Sequence, residues 1–253
     1  MKVVNLPLGT TEDRLIGSIN VEKILKEGVK ALQPGILALA NQNILYVDEI
    51  NLLPDHITDD ILDAAASGWN SIEREGVSVS HPSRFILVGT MNPEEGELRP
   101  QILDRMALSV EVPNLRDEEE RTAVIKRNIL FEADPYSFIS SYSQEQEDLR
   151  ERIVKAKDTL KKVTISEEML KAISSACIKL EVDGLRPDII ITKASLTLAS
   201  FQGKKKVERE HLLKAAYLTL GHRTRKGGFE QPATKEEIKK VFEISFDEYK
   251  DTP

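Results

Sequence analysis

Cysteine, aromatic residues and long apolar runs are all scarce in this sequence. Its 253 residues include one cysteine, Cys177, so no internal disulfide forms and a reducing compartment is expected. No apolar stretch approaches the roughly 20 residues that a membrane-spanning helix needs. The first residues have neither a basic segment before a long apolar run nor an Arg- and Ser-rich composition, so no targeting segment is predicted. We expect a cytoplasmic protein, or a stromal one if a plastid encodes it.

An excess of basic residues is absent as well. The formal net charge is −7, whereas binding a nucleic-acid backbone requires a basic face, so no nucleic-acid partner is predicted. Hydrophobic residues make up 40% and charged residues 30% of the chain, which is the ordinary balance of a folded globular protein.

Two short, continuous apolar runs indicate a parallel sheet. Ile44–Val47 and Phe85–Val88 do not alternate with polar residues, which is typical of strands buried on both faces. A third strand is predicted at Leu108–Val112. Between the first two runs, a helix with apolar residues at positions 57, 61, 62 and 65 ends at Gly68, and a hairpin follows. The fold class is therefore α/β, with side chains delivered to the carboxyl edge of the sheet.

The remainder of the chain is predicted to be helical. Apolar stripes follow the capping residues Asp117 and Ser166 and the helix-starting Pro187. We expect an α/β domain at residues 1–134, a linker at 135–143 and an all-helical domain at 144–253.

Adjacent carboxylates end the first buried strand. The order apolar strand, Asp48, Glu49 is the layout of a Walker B motif, in which Asp48 would hold Mg²⁺ and Glu49 would orient and deprotonate a water. A strand that simply ends in an Asp-Glu turn is the alternative. Asn92, at the end of the neighbouring strand, would bind a phosphate or that water, or else serve as a turn residue before Pro93.

Arginines stand at two other places that suit phosphate. A helix starting at Pro100 is flanked by Arg99 and Arg105, and in a ring either arginine could reach a neighbour's γ-phosphate. Arg105 is favoured, and the alternative is a surface Asp104–Arg105 feature. Arg186 precedes Pro187 at a helix start, where it would fold over a nucleotide or be an ordinary solvated arginine.

Taken together, these motifs resemble a known family. The run from Leu45 to Arg105, which begins LYVDEINLLPD and ends ELRPQILDR, is similar to the ATPase subunit of magnesium chelatase, an AAA+ protein. TEDRLIGSINVEKILKEG, residues 11–28, resembles that family's insertion in its second helix region. LEVDGLRPDIIITKASLTLASF, residues 180–201, resembles its lid segment. The resemblance covers practically the whole chain.

The resemblance implies a fold and a set of roles. The fold would be a partial AAA+ parallel-sheet core with helices on both faces, followed by an all-α lid. Asp48 and Glu49 would be the Walker B pair, Asn92 sensor 1, Arg105 the arginine finger and Arg186 sensor 2. Residues 70–84 would form the pre-sensor hairpin.

The resemblance also implies an activity and partners. ATP hydrolysis with Mg²⁺ would drive Mg²⁺ insertion into protoporphyrin IX in chlorophyll or bacteriochlorophyll biosynthesis. The partners would be further copies in a ring, predicted to be a hexamer, a second subunit with AAA+ and adhesion-type domains, and a large porphyrin-binding subunit.

One departure from the family is that its glycine-rich phosphate loop, which ends in Gly-Lys-Ser or Gly-Lys-Thr, is not found in this sequence. The Gly-Lys pair at Gly203-Lys204 is followed by Lys205, and Leu198 stands where the first glycine of such a loop would be, so this is not a phosphate loop. A truncated gene model or fragment is the favoured explanation, with an engineered truncation or a short paralogue as alternatives. Two other functions stay open: a non-hydrolysing ring component, and a related AAA+ remodelling ATPase that serves another metal chelatase.

Overall fold

The computed structural model describes residues 1–19, 32–74, 77–96, 98–223, 225 and 231–249. The chain divides into two compact units, Met1–Arg105 and Met106–Pro253, and each is described by itself. This division lies earlier in the chain than the predicted domain end at residue 134. Within the described ranges, no helix is both long enough and apolar enough to cross a membrane.

The first unit combines a small parallel sheet with hairpins and short helices. Its strands are β1 Val3–Leu6, β2 Gly17–Ile19, β3 Leu32–Pro34, β4 Ile44–Val47, β5 Trp69–Arg74, β6 Val77–Pro82 and β7 Ile86–Gly89. Its helices are α1 Glu12–Ile16, α2 Ile36–Leu39, α3 Asp55–Ser67 and α4 Pro100–Arg105, with 3-10 helices at Ile50–Leu52 and Pro93–Glu95. The parallel sheet has the order β1-β4-β7, and β2 pairs with β3 and β5 with β6 in antiparallel fashion.

The predicted α/β class, its parallel sheet and the hairpin are confirmed. Residues 20–28 of the predicted insertion lie outside the described residues.

The middle and outer strands of the parallel sheet differ in burial. Leu45 and Val47 of β4 have no exposed surface, whereas Ile86 and Val88 of β7 are 53% and 41% exposed. The prediction that both apolar runs are buried on both faces is therefore wrong for β7, and for β4 it holds fully only on the face of Leu45 and Val47, because Ile44 and Tyr46 are half-buried. Within the described residues β7 pairs with β4 alone, so its other edge lacks a neighbouring strand.

The predicted strand at Leu108–Val112 is also wrong. These residues have no regular secondary structure, and Val110 and Val112 are largely exposed. The backbone N–H of Ser109 donates to the carbonyl of Leu218 at 2.8 Å, which ties the segment to a helix of the second unit instead of to a strand.

Helix α3 supplies much of the core of the first unit. Ile57 and Ile61 are fully buried, and the helix ends at Gly68, whose φ of 73° is a left-handed conformation that glycine adopts without steric cost. The predicted helix and its stop are confirmed. Ala64 is buried in place of the predicted Ala65.

The second unit is helical. Its helices are α5 Glu118–Ala133, α6 Pro135–Ser141, α7 Ser143–Thr159, α8 Glu167–Lys179, α9 Arg186–Phe201, α10 Arg209–Leu220 and α11 Lys235–Glu248. The side chains of Asp117 and Ser166 accept backbone hydrogen bonds at the starts of α5 and α8, so both predicted caps are confirmed. The range predicted as a linker, 135–143, contains α6.

The core of the second unit is formed by α8, α9, α10 and α11. Ile173, Leu212, Ile238 and Phe242 belong to this core and are almost fully buried. Helix α5 contributes no buried residue, and Val124 on its predicted apolar stripe is 52% exposed, so that stripe does not face a core within the described residues.

Candidate functional site

The pairing of β4 with β7 brings two polar side chains together at the carboxyl edge of the sheet. Val47 lies opposite Gly89 in this parallel pair, and the next residues along the two strands are Asp48 and Thr90. The hydroxyl of Thr90 donates to Oδ1 of Asp48 at 2.5 Å, and the backbone N–H of Thr90 donates to the carbonyl of Val47 at 3.0 Å. The two strand ends are thus joined by both backbone and side-chain hydrogen bonds.

Hydrogen bonds from two hydroxyl groups stabilise the negative charge of Asp48. Besides Thr90, the hydroxyl of Tyr46 donates to Oδ1 of Asp48 at 3.0 Å. These two hydrogen bonds, that of Thr90 first, hold the pKa of Asp48 below its ordinary value, because they stabilise the ionised carboxylate. Asp48 is exposed, so its carboxylate is ionised at neutral pH and accessible from solvent.

Glu49 occupies an unusual backbone conformation. Its φ of 52° and ψ of 53° lie in the left-handed region, which is uncommon for a residue other than glycine. The conformation is held by Thr90, whose Oγ1 accepts from the N–H of Glu49 at 3.2 Å and whose carbonyl accepts from the N–H of Ile50 at 2.9 Å. One threonine therefore fixes both the Asp48 carboxylate and the backbone that carries the Glu49 carboxylate.

The groups at this edge suit a magnesium ion. Mg²⁺ prefers hard oxygen ligands and is commonly bound in proteins by one or two carboxylates with water and phosphate oxygens. Asp48 offers an exposed, ionised carboxylate, Glu49 is adjacent and half-buried, and the hydroxyl of Thr90 is within the same cluster. The donor chemistry therefore fits a nucleotide-bound Mg²⁺.

Asn92 lies two residues beyond Thr90 and is used locally. Its Oδ1 accepts from the N–H of Glu94 at 3.2 Å and caps the 3-10 helix that begins at Pro93. The turn role that the sequence left open is thus observed. The side-chain NH₂ group donates no hydrogen bond to a described residue, so a second role as a donor is compatible with the first.

The two arginines around α4 contact aspartates on helix α3. Nη1 of Arg105 donates to Oδ1 of Asp63 at 2.9 Å. Nη2 of Arg99 lies 3.1 Å from Oδ1 of Asp55 without hydrogen-bond geometry and 3.8 Å from Oδ1 of Asp59. Both arginines belong to the first unit, as do Asp48, Glu49 and Asn92.

Comparisons with known proteins identify the family. The chain is 55% identical over 237 residues to the magnesium-chelatase subunit ChlI homolog of Methanocaldococcus jannaschii, a match that covers 94% of this chain and 65% of that relative. It is 47% identical over 244 residues to the magnesium-chelatase subunit ChlI of Cyanophora paradoxa, which covers 96% of this chain and 70% of that relative. The chain belongs to the magnesium-chelatase ChlI family. It spans about two thirds of the length of these relatives.

Family models and a solved structure agree with the fold of this ChlI-family chain. The model described as an AAA domain of the dynein-related subfamily matches residues 1–106, and the AAA lid domain matches residues 170–241. A protein of Cytophaga hutchinsonii with a known crystal structure is 17% identical and superposes with a TM-score of 0.60 over 97% of this chain and 76% of that chain, a likeness that shows the fold alone. The AAA+ core followed by a lid is thus confirmed.

Arg186 lies in the lid region of this ChlI-family chain. It is the first residue of α9, it is exposed, and Pro187 follows at the start of the helix as the sequence predicts. It belongs to the second compact unit, whereas the other four predicted site residues belong to the first. Its role at a nucleotide stays a prediction.

Sequence reasoning missed the residues that hold the site together. Tyr46 is two positions before Asp48 on the same strand and hence on the same face, which is a signal that could have been read. The sequence predicts that the polar strand end Thr90-Met91-Asn92 lies beside Asp48 and Glu49, and the strand register confirms this for Thr90, but the sequence does not predict the hydrogen bond from its hydroxyl to Asp48. The pairing of Asp63 with Arg105 spans 42 positions in the sequence and has no local signal.

Proposed function

We propose that this chain is the greater part of the ATP-hydrolysing subunit of a magnesium chelatase. The observation that carries the proposal is the cluster of Asp48, Glu49 and Thr90 at the carboxyl edge of the parallel sheet, in a chain of the ChlI family. Two acidic residues in this arrangement suit metal binding and activation of water. The cofactors are ATP and Mg²⁺, and the hydrolysis drives insertion of a substrate Mg²⁺ into protoporphyrin IX.

Each predicted site residue has a chemical role in this proposal. Asp48 holds the nucleotide's Mg²⁺, which when bound neutralises charge on the phosphates. Glu49 orients the attacking water and accepts its proton, and the Asn92 side-chain NH₂ donates to a phosphate oxygen or to that water.

The arginines supply positive charge to the phosphates. Arg105 reaches the nucleotide of a neighbouring copy and stabilises charge that develops in the transition state. Arg186 contributes a planar fork of donors from the lid. This division of roles requires a ring of copies, which we propose to be hexameric.

The relatives are named as subunits of magnesium chelatase, which supports partners for this chain, and the family resemblance implies which ones. They are further copies of the chain, a second chelatase subunit with AAA+ and adhesion-type domains, and a large porphyrin-binding subunit. The proposed location is the cytoplasm, or the chloroplast stroma in a plastid-bearing source.

The role of Glu49 is tested by Glu49→Gln in the full-length gene product. We expect loss of nearly all ATP turnover, on the order of 10²–10⁴-fold for a general base, with binding of a slowly hydrolysed ATP analogue retained. Steady-state hydrolysis and calorimetry measure the two properties. Glu181→Gln is a matched control, because Glu181 also has a left-handed φ, of 53°, but lies in the second unit. Turnover that survives in Glu49→Gln would defeat the assignment.

A second candidate function is a ring component that does not hydrolyse ATP itself. It is favoured by the exposure of Arg105, whose side chain is 42% exposed and could act on a nucleotide held by another subunit that has the phosphate loop. The chain would then contribute Arg105 to an intact ATPase subunit. Mixing it with a relative that contains the loop should raise the ATPase rate, and Arg105→Ala should abolish the increase. No stimulation at any mixing ratio would rule this candidate out.

A further inference from the structure

Helix α3 presents a line of aspartates to the arginines that flank α4. Asp55, Asp59 and Asp63 are spaced by four residues, so they lie on one face of the helix. Asp55 and Asp59 contact Arg99, and Asp63 contacts Arg105. The helix that follows Asp48 and Glu49 in the chain thus holds both candidate arginine fingers.

Among the described residues, Arg105 has a hydrogen-bond partner at one of its nitrogens. A guanidinium group has five N–H donors in a planar fork. Nη1 donates to Asp63, and Arg105 donates no other hydrogen bond to a described residue. Its side chain is 42% exposed, so its other N–H groups can bind a second anion while Nη1 stays hydrogen-bonded to Asp63.

Arg99 is held differently. Its Nη2 lies within 4 Å of carboxylates from both Asp55 and Asp59, so two acids compensate one guanidinium charge. This arrangement suits a clamp that ties the segment before α4 to α3. It leaves less positive charge for an incoming phosphate than the single-acid arrangement at Arg105.

We propose that Asp63 is a positioning residue for Arg105. It fixes one edge of the guanidinium so that the other edge is presented to the γ-phosphate bound by a neighbouring copy. Fixing the side chain before the neighbour docks reduces the conformational entropy lost on docking. An ion pair this exposed is weak, so it does not prevent the arginine from adjusting to the phosphate. The inference rests on the proposed finger role of Arg105.

The test is Asp63→Asn in the full-length gene product, assayed for ATP hydrolysis at saturating and limiting ATP. We expect kcat to fall about 10-fold with KM for ATP nearly unchanged, because the arginine acts on the transition state of the neighbour's reaction. Asp63→Glu keeps the carboxylate and should recover most of the rate. Where hydrolysis requires a loop-containing partner subunit, the same variants are compared by the rate of the mixture.

The matched control is Asp55→Asn, the same substitution on the same face of α3 but at the contact with Arg99. We expect its kcat to stay within about twofold of the parent, since Arg99 does not act on phosphate in this proposal. In an Arg105→Ala background, Asp63→Asn should cause no further loss, because the residue it positions is gone. A further loss there would indicate a general structural role and overturn the inference.

The outcomes separate this inference from the function on which it rests. If Arg105→Ala leaves the rate unchanged, the finger assignment fails. If Arg105→Ala lowers turnover and Asp63→Asn does not, only the positioning role fails. Loss in Asp55→Asn but not in Asp63→Asn would overturn the positioning role of Asp63, and Arg105→Ala would still decide the finger assignment.

Discussion

At the scale of single residues, the ionised form of Asp48 is stabilised by neutral hydroxyl groups and not by a basic side chain. The hydroxyls of Thr90 and Tyr46 lower its pKa, and no basic side chain is among the causes. The carboxylate is therefore ready to meet a cation without first giving up an ion pair. A salt bridge at this place would compete with Mg²⁺ for the same oxygen atoms.

Thr90→Val tests this dependence. The substitution keeps the shape of the side chain but removes the hydrogen bond that lowers the pKa of Asp48 most. The pKa should therefore rise towards its ordinary value of about 3.9. Because the pKa is lowered in the folded protein, this hydrogen bond stabilises the fold above about pH 4, and the benefit is lost as pH falls through the lowered pKa. Titration of the carboxyl carbon by NMR measures the shift. An unchanged pKa in the variant would show that Thr90 is not its cause.

At the scale of secondary-structure elements, Gly35 marks a close approach of two backbones. It lies between β3 and α2, and a Cβ placed there would meet the backbone at Leu15 and Gly17, where α1 gives way to β2. Backbone atoms cannot rotate away as a side chain can. The contact between these two segments therefore requires a residue without a side chain.

Gly35→Ala is accordingly expected to destabilise the protein by about 1–3 kcal/mol, the range for overpacking of a close contact. Urea denaturation, followed by circular dichroism, measures the change in the free energy of unfolding. Gly9→Ala is the matched control, because nothing lies within 4 Å of a Cβ at Gly9, and its stability should remain close to that of the parent. Equal stability of the two variants would contradict the close approach.

The elements that could be predicted from the sequence are those with local signals. Helix α3 has apolar residues at helical spacing and a glycine stop, and the caps at Asp117 and Ser166 can be read within four residues. The exposure of β7 and the irregular path of residues 108–112 depend on which strands lie beside them. The packing of α11 against α8 likewise depends on a distant part of the chain. The sequence pattern therefore predicts the two carboxylates and the strand end beside them, but not the hydrogen bonds that Thr90 and Tyr46 donate to Asp48.

At the scale of the whole molecule, the chain contains two separate cores. Ile61 is fully buried in the first unit and Phe242 in the second, and the core cluster around Phe242 lies wholly between residues 172 and 246. A defect in one core should therefore be felt mainly within its own unit. The family models divide their matches in a similar way, at residues 1–106 and 170–241.

A pair of core variants tests this separation. Phe242→Ala should cost about 3–5 kcal/mol and lower hydrogen-exchange protection in α8 and α10 while sparing β4, and Ile61→Ala, at about 2–5 kcal/mol, should do the reverse. Residue-resolved hydrogen exchange measures both. If either variant lowers protection equally in both units, the two cores unfold as one.

The left-handed backbone of Glu49 has a consequence for directed evolution. An L-residue in this conformation costs roughly 1–2 kcal/mol relative to glycine, and asparagine tolerates it better than glutamate does. A library sorted for thermal tolerance alone would therefore enrich glycine or asparagine at position 49. If Glu49 has the proposed role, the selected variants would be more stable but would no longer hydrolyse ATP. A selection that retains this glutamate therefore has to include ATP turnover.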